Sequence, residues 1–187
     1  NTTTPNTVAK AVDPNTLSDH LGYSYSRPQI IRSNDSSADW LLVFGNGYES
    51  ASGHAVLFIV GLDTSGNIVW THIIDTLAGD TGPNCNGLSS PAIIFPQGDG
   101  ENDFIYAGDL LGNMWKFDIS DADRNNWGVY FQNGAAEPQP LFTAKSEAGF
   151  RQPITMQPDV TMSCINGTEG YLVAFGTGRL YNPEIDN

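Results

Sequence analysis

Short apolar runs separated by glycine turns recur along the chain. Trp40-Leu41-Leu42-Val43-Phe44 runs into Gly45-Asn46-Gly47-Tyr48. His54-Ala55-Val56-Leu57-Phe58-Ile59-Val60 leads to Asp63-Thr64-Ser65-Gly66-Asn67, and Ile68-Val69-Trp70-Thr71-His72-Ile73-Ile74 follows. Each run has the length and the β-branched or aromatic bias of a strand. The Asp63–Asn67 stretch predicts a hairpin turn, because Gly66 can take a positive φ without steric cost. A helical period is almost absent: 20 Gly and 11 Pro interrupt most windows long enough for a helix.

The pattern then repeats. Ser90–Phe95, Asp103–Gly108 and Met114–Ile119 read as strands, with a turn at Leu111-Gly112-Asn113. A third copy begins at Ile154–Val160 and runs through Gly170–Phe175 to Gly176-Thr177-Gly178-Arg179. Three runs close on a glycine and a polar residue: Val43-Phe44-Gly45-Asn46, Tyr106-Ala107-Gly108-Asp109 and Ala174-Phe175-Gly176-Thr177. Their glycines stand 63 and 68 positions apart. That exceeds the roughly 40–50 residues of familiar propeller repeats, and insertions at blade edges account for the excess. The expectation is an all-β chain folded as a β-propeller, with small residues at the ends of inner strands letting the blades crowd around an axis. An all-β sandwich, also built from short strands and frequent turns, is the alternative. Two to three blades cannot close a ring of about 4–8, so residues 21–187 are expected to be a partial propeller. Residues 1–20, polar and Pro-containing, are expected as an N-terminal arm or linker. The first residue is Asn1, as in a mature product or an excerpt.

Composition narrows the function. Hydrophobic residues make up 40%, enough for a packed core. Eight Lys and Arg face 21 Asp and Glu, a formal net charge of −13. That argues against non-specific nucleic-acid binding and against anionic membrane surfaces, which need a basic face; cations or a basic partner fit better. No apolar stretch approaches about 18 residues, so no membrane insertion is expected. The Lys-poor, Asn- and Thr-rich composition suits an extracellular protein. Cys85 and Cys164 lie 79 positions apart, which excludes CxxC zinc or redox motifs. They could form one bridge in an oxidising compartment or remain two buried thiols. His20, His54 and His72 lack metal-ligand spacing; His54 and His72 are expected to face solvent or a satisfied partner. A G-x-S-x-G nucleophile motif and a Walker A loop are both missing from the sequence.

An ordered series of motifs resembles one known family. Leu21-Gly22-Tyr23-Ser24, Arg27-Pro28-Gln29-Ile30, Val43–Tyr48 and Asn86-Gly87-Leu88-Ser89-Ser90-Pro91 come first. Tyr106-Ala107-Gly108-Asp109-Leu110-Leu111-Gly112-Asn113-Met114-Trp115-Lys116-Phe117-Asp118 is the strongest segment, followed by Pro140–Ala144, Gln152–Thr155 and Phe175–Arg179. The series is similar to the C-terminal β-propeller of the PilY/PilC family of type IV pilus biogenesis and tip adhesin proteins. The resemblance implies a quinoprotein-like propeller without chemistry of its own, secreted by a Gram-negative bacterium and placed at the pilus tip or outer-membrane surface. It implies roles in pilus assembly, surface attachment and twitching motility, with pilins or minor pilins and a host or abiotic surface receptor as partners. It also implies a calcium loop of the form D-x-D-x-D-G-x-x-D just before Tyr106. Here Asp99, Gly100 and Asp103 match, Phe95 and Gln97 replace two carboxylates, and Glu101 would offer only its backbone carbonyl. Calcium needs about six or more oxygen ligands, so the degenerate loop Asp99, Glu101, Asp103 with Gln97 is expected to bind Ca²⁺ poorly or not at all.

Other features have bland and functional readings side by side. Asp118-Ile119-Ser120-Asp121-Ala122-Asp123 could be a cation site or docking patch, or a solvated turn closed by its own side chains. Trp40, Trp70, Trp115 and Trp127 are expected to dock one blade on the next, with sugar stacking as the alternative and Trp127 as the exposed one. The loops 46–53, 79–87, 96–102 and 118–126 are expected to be presented by a rigid scaffold. The function expected is thus a non-enzymatic, secreted adhesin and pilus biogenesis propeller. Two alternatives stand beside it: a quinoprotein-type dehydrogenase, suggested by the repeat-like Asp63–Trp70 stretch, and an outer-membrane assembly scaffold.

Overall fold

The structure is a computed structural model that describes residues 14–94, 104–165 and 168–179. Among the described residues it forms three main antiparallel sheets and one small hairpin. The first contains β1 (Gln29–Arg32), β2 (Trp40–Gly45), β3 (His54–Leu62) and β4 (Ile68–Gly79), in the order β1-β2-β3-β4. The second contains β5 (Ala92–Ile94), β6 (Phe104–Gly108) and β7 (Asn113–Asp118). Beyond β7 the polar stretch yields only short pieces. Of these, β8 (Gly128–Val129) and β11 (Phe142–Thr143) pair with β7, while β9 (Phe131–Gln132) and β10 (Pro138–Gln139) form a small hairpin. The third sheet pairs β12 (Asp159–Ile165) with β13 (Thr168–Ala174).

The sheets stack face to face, as expected for consecutive blades. Leu41, Val43, Leu57, Ile59 and Ile74 of the first pack against Ile105, Ala107, Trp115, Phe117 and Trp127 of the second. Ile94, Tyr106 and Met114, on the second sheet's other face, pack with Ile154, Val160 and Val173. Burial there pushes the Tyr106 phenol up to about 12, with Tyr171 and Tyr130 adding to the shift. The first strands converge: Gln29 of β1, Ala92 and Ile93 of β5, and Asp159 and Val160 of β12 line one cavity of about 400 Å³. The strands that meet around a common opening are therefore β1, β5 and β12. The glycine-terminated runs expected there as inner strands are instead the second strands, β2, β6 and β13. β1 escapes the apolar pattern because only Ile31 of its four residues is buried.

Residues 1–20 were expected as an arm. Their described part, Pro14–His20, is a short helix α1. Its Leu17 packs with Val56, Phe58 and Ile73 on the face of the first sheet that points away from the second. The carbonyl of Asp19 accepts a hydrogen bond from Ser52 N at 2.8 Å.

Glycine at the end of the second strand has a packing reason. The chain entering the next blade crosses directly over it. A Cβ on Gly45 would collide with the carbonyl oxygens of Leu88 and Ser89, and one on Gly108 with the side chain of Ile154. Gly66, by contrast, needs glycine for its φ of 83° and has open space around it. Gly45→Ala should therefore lower unfolding stability by about 2–3 kcal/mol through forced separation of the blades. Gly66→Ala should cost only about 1 kcal/mol from backbone strain. Urea denaturation distinguishes the two; equal midpoints would show that the crossing is loose.

Candidate functional site

The residue after each crossing glycine ties neighbouring elements together. Asn46 is fully buried. Its Nδ2 donates to the carbonyls of His20 (2.8 Å) and His54 (2.9 Å), and its Oδ1 accepts from Val56 N (3.1 Å) and Leu88 N (2.9 Å). One amide thus holds α1, β3 and the entry to the second blade. Asp109 occupies the matching position and is also fully buried. Its Oδ1 accepts from Asn113 N (2.8 Å). Its Oδ2 accepts from Asn113 Nδ2 (2.9 Å), Trp115 Nε1 (2.8 Å) and Asn86 Nδ2 (2.9 Å). Four neutral donors compensate the desolvated carboxylate. The Asp109 carbonyl accepts from Ile154 N at 2.9 Å, reaching the third blade. Asn86 completes the chain: its Nδ2 also donates to the Ala78 carbonyl (3.0 Å) of the first blade.

The turn at Asp109 is one of a set. Asp63 and Asn67, Asp80 and Asn84, and Asp109 and Asn113 repeat one arrangement, in which the Asp carboxylate accepts from both the backbone N–H and the amide of the Asn four residues on. These bonds hold the Asp63 and Asp80 carboxyls below the usual carboxylate range. Asn133 and Glu137 form the same loop with the acid at the other end. The Asp-x-x-x-Asn spacing is visible in the sequence as the signal for these turns.

A second lock joins the two blades at their opposite end. Arg124 donates to Asp35 Oδ2 at 2.8 Å and to Ser37 Oγ at 2.9 Å, and its guanidinium lies 4.7 Å over the Trp70 ring. Burial pushes the Asp35 carboxyl up, but bonds from Ser37 and Arg124 outweigh it, and the net shift is downward. Trp70 and His72 both meet Trp127 edge-on, at 6.0 and 5.8 Å between centroids. Trp127, expected to be the exposed tryptophan, is fully buried, and its Nε1 donates to the Asp121 carbonyl at 2.7 Å. Polar neighbours in sequence gave no hint that the 3₁₀ turn Arg124–Asn126 folds it inward. Trp40 is the exposed one, at 38%. His72 departs from expectation too: it is buried in the seam and its Nε2 has no hydrogen-bond partner. His54 does find a partner, Asp75 Oδ2 at 2.9 Å.

The expected calcium residues Asp99, Glu101 and Asp103, with Gln97, lie outside the described residues; the strand ends that flank their loop, Ile94 and Phe104, are paired. Among the described residues no three His, Cys, Asp or Glu side chains form a metal-holding group. In the acidic stretch the carboxylates close local turns. Asp118 Oδ1 accepts from Ser120 N and Oγ, and Asp123 Oδ1 from Asn125 N and Nδ2. The loops expected to be presented divide between two ends. Loops 46–53 and 79–87 meet where Asn86 N donates to the Gly53 carbonyl. Loop 118–126 leaves from the other end, where Asp118 pairs with Phe104, and loop 96–102 lies outside the described residues. Cys85 is a half-buried free thiol, and the side chain of Cys164 is not among those described. Among the described residues no helix is long and apolar enough to cross a membrane.

Stacked antiparallel sheets joined by buried polar hubs define this chain as part of a β-propeller. Residues 7–186 match the family model described as the PilY1 beta-propeller domain, and the chain belongs to that family. A type IV pilus biogenesis factor PilY1 homolog of Xylella fastidiosa is 38% identical over 173 residues, covering 90% of this chain and 11% of that protein. Type IV pilus biogenesis factor PilY1 of Pseudomonas aeruginosa is 34% identical over 187 residues, covering 92% of this chain and 15% of that protein. The crystal structure of the P. aeruginosa PilY1 C-terminal domain superposes with a TM-score of 0.69 at 33% identity, over 89% of this chain and 35% of that one. The chain thus spans a small part of the relatives' length.

The buried seam histidine makes an acid-sensitivity prediction. Burial, with the Arg124 charge adding and Asp35 opposing, lowers His72 from 6.5 to about 4. The unfolded chain therefore binds the proton first as pH falls, and stability declines from about pH 6.5 down to about pH 4, by on the order of 3 kcal/mol in all. His72→Phe keeps a ring against Trp127 and removes the titration. Denaturation at pH 7 and pH 4 should show a smaller acid loss in the variant; an identical loss would place the acid sensitivity elsewhere.

Proposed function

We propose that this chain is part of the rigid, non-enzymatic propeller of a type IV pilus biogenesis factor. It acts in pilus assembly, surface attachment and twitching motility, and works outside the cell at the pilus tip or outer-membrane surface. Family membership and the relatives' designation as pilus biogenesis factors support the pilus role. The observation that favours a passive platform is the disposition of the buried polar groups: Asn46, Asn86 and Asp109 each bind the elements that join the blades. A scaffold rigid in this way suits presentation of polar loops to a pilin, a minor pilin or a surface receptor.

A deletion strain tests the proposal. Pilus number, surface attachment and twitching should fall, and the intact gene should restore them. A version carrying Asp109→Ala should fail to restore them at normal transcript level, because the seam loses its acceptor. Full piliation in the deletion strain would end the pilus reading.

Calcium at the 95–103 loop remains a proposal drawn from the resemblance. With Phe95 and Gln97 in place of two carboxylates, any affinity should be weak, in the millimolar range of low-charge sites. Calorimetric titration of the wild type and Asp99→Ala should show heat only in the former; no heat at millimolar calcium for the wild type would remove the ion.

A further inference from the structure

β4 ends in a bulge that meets the blade seam at Ala78 but not at Leu77. His54 pairs with Gly79 and Val56 with Asp75, so Thr76, Leu77 and Ala78 stand opposite Ala55 alone. Side chains fix this irregularity on both sides. Thr76 Oγ1 donates to the Ala55 carbonyl at 2.7 Å, and Asp75 Oδ1 accepts from Leu77 N at 2.8 Å. Asn86 Nδ2 donates to the Ala78 carbonyl at 3.0 Å. The result is a leucine at φ 57°, in the left-handed region that leucine disfavours. Leu77 is also 46% exposed, so neither backbone preference nor core packing accounts for it. Bulges that redirect a side chain, and strained backbone held by its surroundings, occur disproportionately at functional sites.

The bulge aims at a cleft of about 530 Å³ on the rim between the first two blades. Leu77, Leu111, Pro138 and Pro140 provide apolar walls, and Arg151 and Glu137 provide the charges. Glu137 is engaged by Asn133 Nδ2 at 2.7 Å. Arg151 is exposed and donates to the Leu111 carbonyl at 3.3 Å. It takes part in none of the ion pairs among the described residues. Both walls belong to neighbouring blades already in place, so the cleft does not depend on further blades.

We infer that this rim cleft docks a short extended segment of a protein partner, one that places an apolar side chain against Leu77 and a carboxylate on Arg151. Charge complementarity selects that occupant: Arg151 enters no ion pair among the described residues, whereas Glu137, the cleft's own carboxylate, is already engaged by Asn133, and a guanidinium takes a carboxylate by paired, charge-assisted hydrogen bonds. A basic segment would instead meet Arg151 with like charge. The inference rests on the platform reading and names the surface through which such a platform could hold a partner.

The test pans a phage-displayed heptapeptide library against the purified full chain. Synthetic copies of the enriched peptides are then measured by fluorescence anisotropy. Enriched peptides should carry Asp or Glu beside Leu, Ile, Val or Phe. Arg151→Ala should weaken their binding about tenfold or more, the loss expected for a charged hydrogen bond. Leu77→Gly should also weaken binding at least several-fold while melting no lower than the wild type, because glycine accepts the positive φ. No enrichment, peptides without a carboxylate, or unchanged affinity in either variant would overturn the inference. The two readings separate cleanly: loss of piliation on deletion together with failed panning removes only the cleft, whereas normal piliation together with successful panning removes only the pilus role.

Discussion

The blades are held at close range by a backbone crossing. The chain that leaves one sheet for the next passes over the end of the second strand of the sheet it leaves, and only glycine leaves room for it. Leu88 and Ser89 lie over Gly45, and Ile154 lies over Gly108. The approach brings main-chain groups into a region without water, where each unpaired N–H or C=O would be costly. Asn46 and Asp109, one residue on, answer that demand with side chains that bond across the joint. The apolar cores of the seams can close only because these crossings are tight and their polar groups satisfied.

The two ends of the joint between the first blades differ in chemistry. At the crossing end, neutral amides surround a buried carboxylate, and its acceptor capacity is met by four donors. At the far end, an ion pair between Asp35 and Arg124 sits beside three aromatic rings. The buried His72 ring, its Nε2 without a hydrogen-bond partner, favours its neutral form here because burial disfavours the charged one. Rigidity therefore comes from satisfied hydrogen bonds at one end and from stacking plus charge at the other. Against this background the Leu77 bulge stands out, since the bonds made there by Thr76 and Asp75 hold an exposed and strained residue rather than a seam.

Much of the fold was legible because strand periodicity and turn chemistry are local. The runs ending at Gly45 and Gly108 and the hairpin at Gly66 follow from side-chain shape and backbone freedom within a few residues. The family resemblance was legible for the same reason, since it rests on ordered short motifs. The rank of those strands within a blade was not legible. β1 has a single buried residue, and nothing in its four positions says that it stands first in its sheet. Nor could the polar stretch around Trp127 reveal that Arg124 would reach back to Asp35 and fold the indole inward, because the partners lie 89 positions apart.

Local sequence thus settled which segments become strands, where the chain turns and which family the pattern belongs to. The fate of individual polar and aromatic residues was settled by assembly. Asp109 reads as an ordinary turn residue until Asn86 and Trp115 close on it. Leu77 reads as a strand residue until the register with β3 ejects it. Hydrogen bonding across blades and the crossing of distant backbone segments decide these roles, and neither is encoded within any single run.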